Sequence, residues 1–196
     1  MTVAKAAPFQ SFEQYLLADP SELPEGRYEY GDGELISVMP ESLGNGSIAI
    51  FIQLALIASG VPFQLIRFGC EVEVPGHPKT RIPDLTLLNQ AHLCLLAKRT
   101  TITEQMPPPD LIVEVVSPGD EASDNYQRDY HDKPAQYAAI RVLEYWIVDP
   151  VRSWIQVGLL TAGVYQFATF QGDEAIASSV CPNLKLTVQQ VLQAAL

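Results

Sequence analysis

The chain has 196 residues, 47% of them hydrophobic, which suits one domain with a substantial buried core. Lys and Arg number 12 against 23 Asp and Glu, a formal net charge of −11. That balance excludes a surface that holds nucleic acid by general attraction to phosphates, though not a locally basic cleft. No window reaches the roughly 18–20 apolar residues that span a bilayer, and the opening MTVAKAAPFQSFEQYL has no apolar h-region of a secretory signal, so a cytoplasmic protein without a membrane partner is expected.

Phe12, Tyr15 and Leu16 recur at helical spacing after a capping Ser11, with Asp19-Pro20 as the stop. RYEYGDGELISVMP reads as a hairpin about Gly31-Asp32-Gly33, residues that tolerate the positive φ of a tight turn. GNGSIAIFIQLALIASG is apolar almost throughout and closes on Gly60, the pattern of a buried helix. From Val61 to Val74 the chain favours strand, with Cys70, Val72 and Val74 alternating against Glu71 and Glu73 on the other face. PGHPKT is a loop by composition. RIPDLTLL follows as a short strand, then a longer connection from Asn89 to Pro109, then a second dense apolar run, DLIVEVVS. Asp120 to Asp132 reads as a polar loop running into the helix that holds AQYAAI. Pro134, tolerated only in a first turn, sets that helix's start near Asp132 or Lys133. LEYWIVDP is a strand ended by Asp149-Pro150, VRSWIQVGLL and GVYQFATF form a strand pair, and LTVQQVLQAAL is an amphipathic C-terminal helix. Helices at both ends of a mixed set of strands give an α/β or α+β class with a central sheet.

Cys70, Cys94 and Cys181 are odd in number and form no CxxC pair, so they read as reduced thiols and small core residues. His77, His92 and His131 show no HxxxH or HExxH spacing, which argues against a zinc site. Two acids stand out instead. Asp84 in RIPDLTLL and Glu114 in DLIVEVVS each sit inside an apolar run. Either one alone could lie at a strand end, facing solvent or bonded to an Arg such as Arg81. A lone buried carboxylate costs several kcal/mol unless paired or holding a cation. Two acids side by side repel each other, and a divalent metal relieves the repulsion.

RIPDLTLL, then LIVEVVSPGD, then DKPAQYAAIRVLEYWIVDP together resemble the Uma-type family of endonucleases, within the PD-(D/E)XK nuclease superfamily. The opening hairpin YEYGDGELISVMP resembles that family as well, and the likeness covers roughly residues 11–192. It implies a restriction-endonuclease-like core with a central mixed sheet flanked by helices, and a nuclease acting on DNA. It further implies that Asp84 and Glu114 are metal ligands and that Glu29 is a further acid of the site. The superfamily's lysine ordinarily lies two residues beyond the second acid, where this chain has Val116. In the Uma-type pattern it moves to the following helix, and Lys133 stands at the matching position. Hard oxygen ligands on neighbouring strands favour Mg²⁺ or Mn²⁺, and a nearby lysine can orient water or stabilise phosphoryl charge.

The chain departs from the family at Asn45, where a His is common, and at Arg141, where a Gly is usual. Ser117 matches a family Ser. Gln136 and Tyr137 lie in the helix region near Lys133, Tyr137 as a core residue. Arg81, Lys79, Arg128 and Lys133 are the few cations available to a cleft. Their scarcity keeps open an alternative: a nuclease-fold protein that binds nucleic acid or a protein partner without cleaving. Superfamily members commonly pair, so a homodimer, or plainly a dimeric scaffold, is a further expectation.

Overall fold

The computed structural model describes residues 9–19, 21, 23–40, 42–96 and 99–195. Helix α1 (Phe12–Leu17) begins where the Ser11 side chain accepts the Gln14 N–H, and it buries Tyr15; Pro20, its expected stop, lies outside the described residues. Strands β1 (Tyr28–Gly31) and β2 (Glu34–Ser37) pair antiparallel. Between them Asp32 and Gly33 take φ of 47° and 91°, the left-handed pair that lets a two-residue turn follow the strand twist. Helix α2 (Leu43–Ala58) buries Ile48, Ala49, Ile52 and Leu56. It is not buried all round, as its composition had suggested: Leu43, Ile50, Leu54 and Ile57 are exposed.

The stretch Val61–Val74 is not one strand. A 3₁₀ turn at Phe63–Leu65 leads into β3 (Ile66–Arg67), and Gly69, at φ 64°, swings the chain into β4 (Glu71–Glu73) in a different sheet. Strand β4 pairs antiparallel with β5 (Thr80–Arg81) and, past β6 (Leu85–Leu87) and helix α3 (His92–Leu95), parallel with β7 (Thr101–Ile102). Glu71 and Glu73, on the face opposite Val72, are both buried. Glu71 accepts Tyr15 Oη and Thr101 Oγ1, each at 2.6 Å, and Glu73 pairs with Lys79 Nζ and accepts the Glu104 N–H, each at 2.9 Å. Alternation marks a solvated face only where nothing covers it, and here distant hydrogen-bond donors do.

Strands β8 (Leu111–Val115) and β9 (Glu144–Asp149) pair parallel, so the chain between them must cross over through a helix. The crossover is helical from Asp124 onward, earlier than its polar composition suggested: α4 (Asp124–Gln127), a π turn at Arg128–Asp132, then α5 (Lys133–Ala139). Ser123 starts it by accepting the Tyr126 N–H. The π turn carries the chain into Pro134, which has no N–H to give: the Lys133 N–H reaches back five residues to the Arg128 carbonyl. Strands β10 (Trp154–Thr161) and β11 (Val164–Gln171) then add antiparallel. The resulting six-stranded mixed sheet runs β11-β10-β9-β8-β6-β3. Helix α6 (Val188–Gln193) opens on a capping box between Thr187 and Gln190. The class is α+β with a central mixed sheet, as expected.

Trp146, Tyr137 and Tyr145 are the largest wholly buried side chains. Cys70, Cys94 and Cys181 are free thiols; Cys70 and Cys181 are buried as expected, whereas Cys94 is exposed on the short helix α3, a correction to its reading as core. Among the described residues no helix is long and apolar enough to cross a membrane.

Two buried polar groups fasten this frame. Glu144 at the head of β9 accepts Trp146 Nε1 and Ser178 Oγ on Oε1, both at 2.7 Å, and the Ser179 and Val180 N–H groups on Oε2 at 2.7 and 3.2 Å. Glu144→Gln turns an NH₂ group toward a fixed N–H whichever way the amide lies, and is expected to cost about 1–3 kcal/mol. Urea unfolding at constant m-value measures it, and an unchanged midpoint would refute the anchoring role. His92 accepts the Asn89 N–H on Nδ1 at 3.1 Å and has Nε2 2.8 Å from the Pro107 carbonyl, an arrangement that needs the neutral ring. Burial holds its pKa below the ordinary 6.5, against the pull of Pro107 and Asp110. The unfolded chain therefore takes up the proton first: stability is full above the unfolded pKa and falls as pH drops through it toward the folded value. His92→Asn should flatten that acid-side decline in thermal midpoint, and an unaltered slope would show that another group causes it.

Candidate active site

The register of β6 against β8 runs Leu85↔Val113, Thr86↔Ile112, Leu87↔Leu111. Carried one step further it sets Asp84 opposite Glu114, and directly opposed residues project from the same face. Asp84 Oδ2 accepts the N–H of Val115, the residue after Glu114, at 2.7 Å. Asp84 is half-buried at the strand's end, while Glu114 is 2% exposed within a strand whose five residues are all buried.

Helix α5 supplies what a buried acid requires. Lys133 Nζ donates to Glu114 Oε2 at 2.8 Å and Tyr137 Oη to Oε1 at 2.7 Å. The two donors are four residues apart and so share one helix face. One turn earlier, Asp129 approaches Lys133 Nζ at 3.0 Å and is itself held by Arg128 at 2.9 and 3.0 Å. Burial pushes the Glu114 carboxyl up in pKa despite the opposing effect of Lys133. Burial works to lower the Lys133 ammonium, but Glu114, Asp129 and Asp84 together hold it above its ordinary value. The lysine is therefore a fixed cation. For Asp129, Lys133 and Arg128 outweigh burial and keep the carboxyl below its usual range.

Asp84, Glu114, Asp129 and Lys133 line a cleft of about 520 Å³, together with Glu29, Arg27, Arg81 and Arg128. All four residues singled out in the sequence, Asp84, Glu114, Lys133 and Glu29, thus meet in one hollow. Arg81 pairs with Glu29, at 3.0 Å from Nη1, and Arg81 Nε donates to Gln136 Oε1 at 2.8 Å. Lys79 is engaged by Glu73 instead. Tyr137 is wholly buried as expected, and it is also a ligand of Glu114's carboxylate. Asn45, at the family's His position, donates Nδ2 to the Val115 carbonyl at 3.2 Å and ties the start of α2 to the end of β8. Ser117 lines the cleft wall. Arg141 takes φ 65° just beyond α5, so the left-handed turn of the missing glycine is kept at an expected strain of about 1 kcal/mol.

Asp129 is the site residue that sequence reasoning missed. It lay in a stretch read as polar loop; the signal available was its four-residue spacing to Lys133. Among the described residues no group of three or more His, Cys, Asp or Glu side chains is placed to hold a metal ion.

A mixed sheet bearing opposed acids at the ends of two antiparallel strands, faced by a lysine from the crossover helix, defines a protein of nuclease-like fold. Residues 9–189 match the model of the Uma2 family, described as "Putative restriction endonuclease", and the chain belongs to that family. The fold is similar to that of a solved Anabaena variabilis ATCC 29413 protein described as "a putative nuclease belonging to DUF820". The TM-score is 0.67 and the identity 15%, over 94% of this chain and 98% of that one. No curated protein matches the chain.

Lys133→Met would leave Glu114 without its cation and Asp129 with Arg128 alone. Removing one partner of a buried ion pair costs about 3–5 kcal/mol, and chemical unfolding at neutral pH should show a loss of that size. A loss below about 1 kcal/mol, the range of exposed pairs, would mean that Lys133 does not compensate the buried acid.

Proposed function

We propose that this chain is a metal-dependent endonuclease that hydrolyses phosphodiester bonds in DNA. The observation that carries the proposal is the opposition of Asp84 and Glu114 on neighbouring strands, with the Lys133 ammonium 2.8 Å from Glu114 at the wall of a cleft. Asp84 and Glu114 would hold Mg²⁺ or Mn²⁺; Glu29, expected as a further ligand, lines the same cleft but is paired with Arg81 and does not complete a three-acid group with them. The donor set fits such an ion, because Mg²⁺ keeps several of its waters and takes one or two carboxylates plus substrate phosphates rather than an all-protein cage. When bound, the ion supplies Lewis-acid charge at the phosphoryl oxygens and eases deprotonation of a water.

The chain's own groups do the positioning. Lys133 would donate to the attacking water or to the oxygens on which charge develops. Asp129 and Glu114 fix the ammonium from two sides, and Arg81 and Arg128 add positive charge along the cleft for a phosphate backbone. A chain of net charge −11 holds DNA only through such a local set.

A second reading is a nuclease-fold protein that binds nucleic acid or a protein partner without cleaving. It is favoured by one observation: both oxygens of Glu114 are already engaged, by Lys133 and Tyr137, so the network is balanced without a metal.

Mg²⁺ or Mn²⁺, compared with EDTA, is expected to raise the thermal midpoint of the wild type and not of Asp84→Ala, since an ion bound only by the folded state stabilises it. Supercoiled plasmid is expected to be nicked with metal, with Glu114→Ala and Lys133→Ala each slower by about 10²-fold or more. Equal midpoints and intact plasmid would decide for the second reading. Nicking that survives both substitutions would place the chemistry elsewhere.

A further inference from the structure

The cleft has two unlike walls. On one side the ends of β6 and β8 and the crossover helices bring Asp84, Glu114, Arg128, Asp129 and Lys133. The hairpin forms the other. Its register sets Glu29 opposite Ile36, and two residues further out the Val38 N–H donates to the Arg27 carbonyl at 2.9 Å. Arg27, Glu29, Ile36 and Val38 therefore share one face of the ribbon, and all four line the cleft. Met39 and Pro40 carry the apolar lining on to the mouth, where Met39 is 81% exposed.

We infer that the cleft takes a single DNA strand and not the intact duplex, with the phosphates turned to the charged wall and the sugar and base laid against Ile36, Val38 and Met39. The inference rests on the proposed nuclease reading and names the substrate class of that same site. Size favours it first. A cleft of about 520 Å³ falls in the range of about 300–1,000 Å³ that encloses a drug-sized molecule, which is room for a nucleotide or two and not for the width of paired strands. The make-up of the walls agrees. A paired strand keeps its base faces within the stack, whereas an unpaired one exposes them, and apolar side chains cover such faces with little regard to sequence. An apolar wall facing a charged one complements the unpaired strand. Charge gives the third reason. Duplex binding draws on many Lys and Arg contacts to phosphates, yet of the chain's 12 Lys and Arg, Lys79, Arg81, Arg99, Arg128, Lys133 and Arg152 are each paired with an acid. That commitment leaves few cations to track the two backbones of a duplex, and apolar contact with the base supplies affinity that charge does not.

Fluorescence anisotropy tests it, with a short labelled oligonucleotide, free and annealed to its complement, in Ca²⁺ so that the acids carry a divalent ion. The full chain is expected to bind the free strand about tenfold more tightly than the duplex. Met39→Ser is expected to weaken single-strand binding about threefold, and Val38→Thr combined with Met39→Ser about tenfold. The thermal midpoint of Met39→Ser should stay unchanged, because the side chain is largely exposed. Met39→Leu should keep wild-type affinity, and Leu54→Ser, on the exposed side of α2 and outside the cleft lining, is the control that changes nothing. In the nicking assay with Mg²⁺, supercoiled plasmid, whose pairs open locally under negative supercoiling, should be cut and the relaxed closed circle of the same sequence spared. Equal affinity for the duplex, indifference to the Val38 and Met39 substitutions, or equal nicking of the relaxed circle overturns the inference and leaves the nuclease reading standing. Preferential binding of the free strand, weakened by those substitutions but without cutting of any DNA, overturns the nuclease reading and upholds the strand preference. No binding of the free strand overturns the inference outright.

Discussion

A carboxylate within a sheet strand buried on both faces must be compensated, and Glu114 is compensated from a single direction. An unpaired charge there would cost several kcal/mol even after relaxation, so a cation and a hydroxyl have to be delivered to the β8 face. Helix α5 delivers both, Lys133 to one oxygen and Tyr137 to the other. That requirement fixes where the crossover helix lies over the sheet, and with it the floor of the cleft. The parallel pairing of β8 with β9 makes the crossover obligatory, so topology and electrostatics call for the same helix in the same place.

The π turn before α5 completes the arrangement. Pro134 cannot continue a regular ladder, and the wider turn lets the chain pass through it while still helical. Asp129, Lys133 and Tyr137 therefore fall at successive four-residue steps along one side, and Arg128 clamps the first of them from the neighbouring position. The ammonium is held between two acids. A short helix starting at Lys133 with a loop before it would have left Asp129 unplaced and the lysine free to swing toward solvent.

What could be read in advance follows from this. Runs such as DLIVEVVS and LEYWIVDP are continuous because parallel strands are covered on both faces, and the one acid within such a run is conspicuous for the same reason. The tight hairpin was legible from Gly31-Asp32-Gly33, a local matter of backbone sterics. Lys133 was reached through family resemblance, since nothing in the composition of a polar stretch singles out one lysine. Asp129 was missed, and the burial of Glu71 and Glu73 was not legible, because the partner of a charged residue in a polar or alternating segment cannot be read from the segment itself. For Glu71 the partner Tyr15 lies 56 residues away. Helix α2 shows the converse limit: an apolar composition says that a helix will be covered, and not which of its sides this fold leaves open.

The charge within the cleft bears on how a polyanion could enter it. Among the described residues lining it, Arg27, Arg81, Arg128 and Lys133 stand against Glu29, Asp84, Glu114 and Asp129, four cations and four acids. Within the wall Glu29 pairs with Arg81, Asp129 with Arg128 and Lys133, and Glu114 with Lys133. A phosphodiester backbone approaching such a balanced wall on an acidic protein finds little net attraction. On the proposed reading, a divalent ion held by Asp84 and Glu114 would tip the cleft to net positive charge and free part of Lys133's field for the substrate. On that reading ion binding would govern entry of the nucleic acid as well as the chemistry, because the acids that oppose general electrostatic binding would make the cleft's attraction for phosphate conditional on the metal.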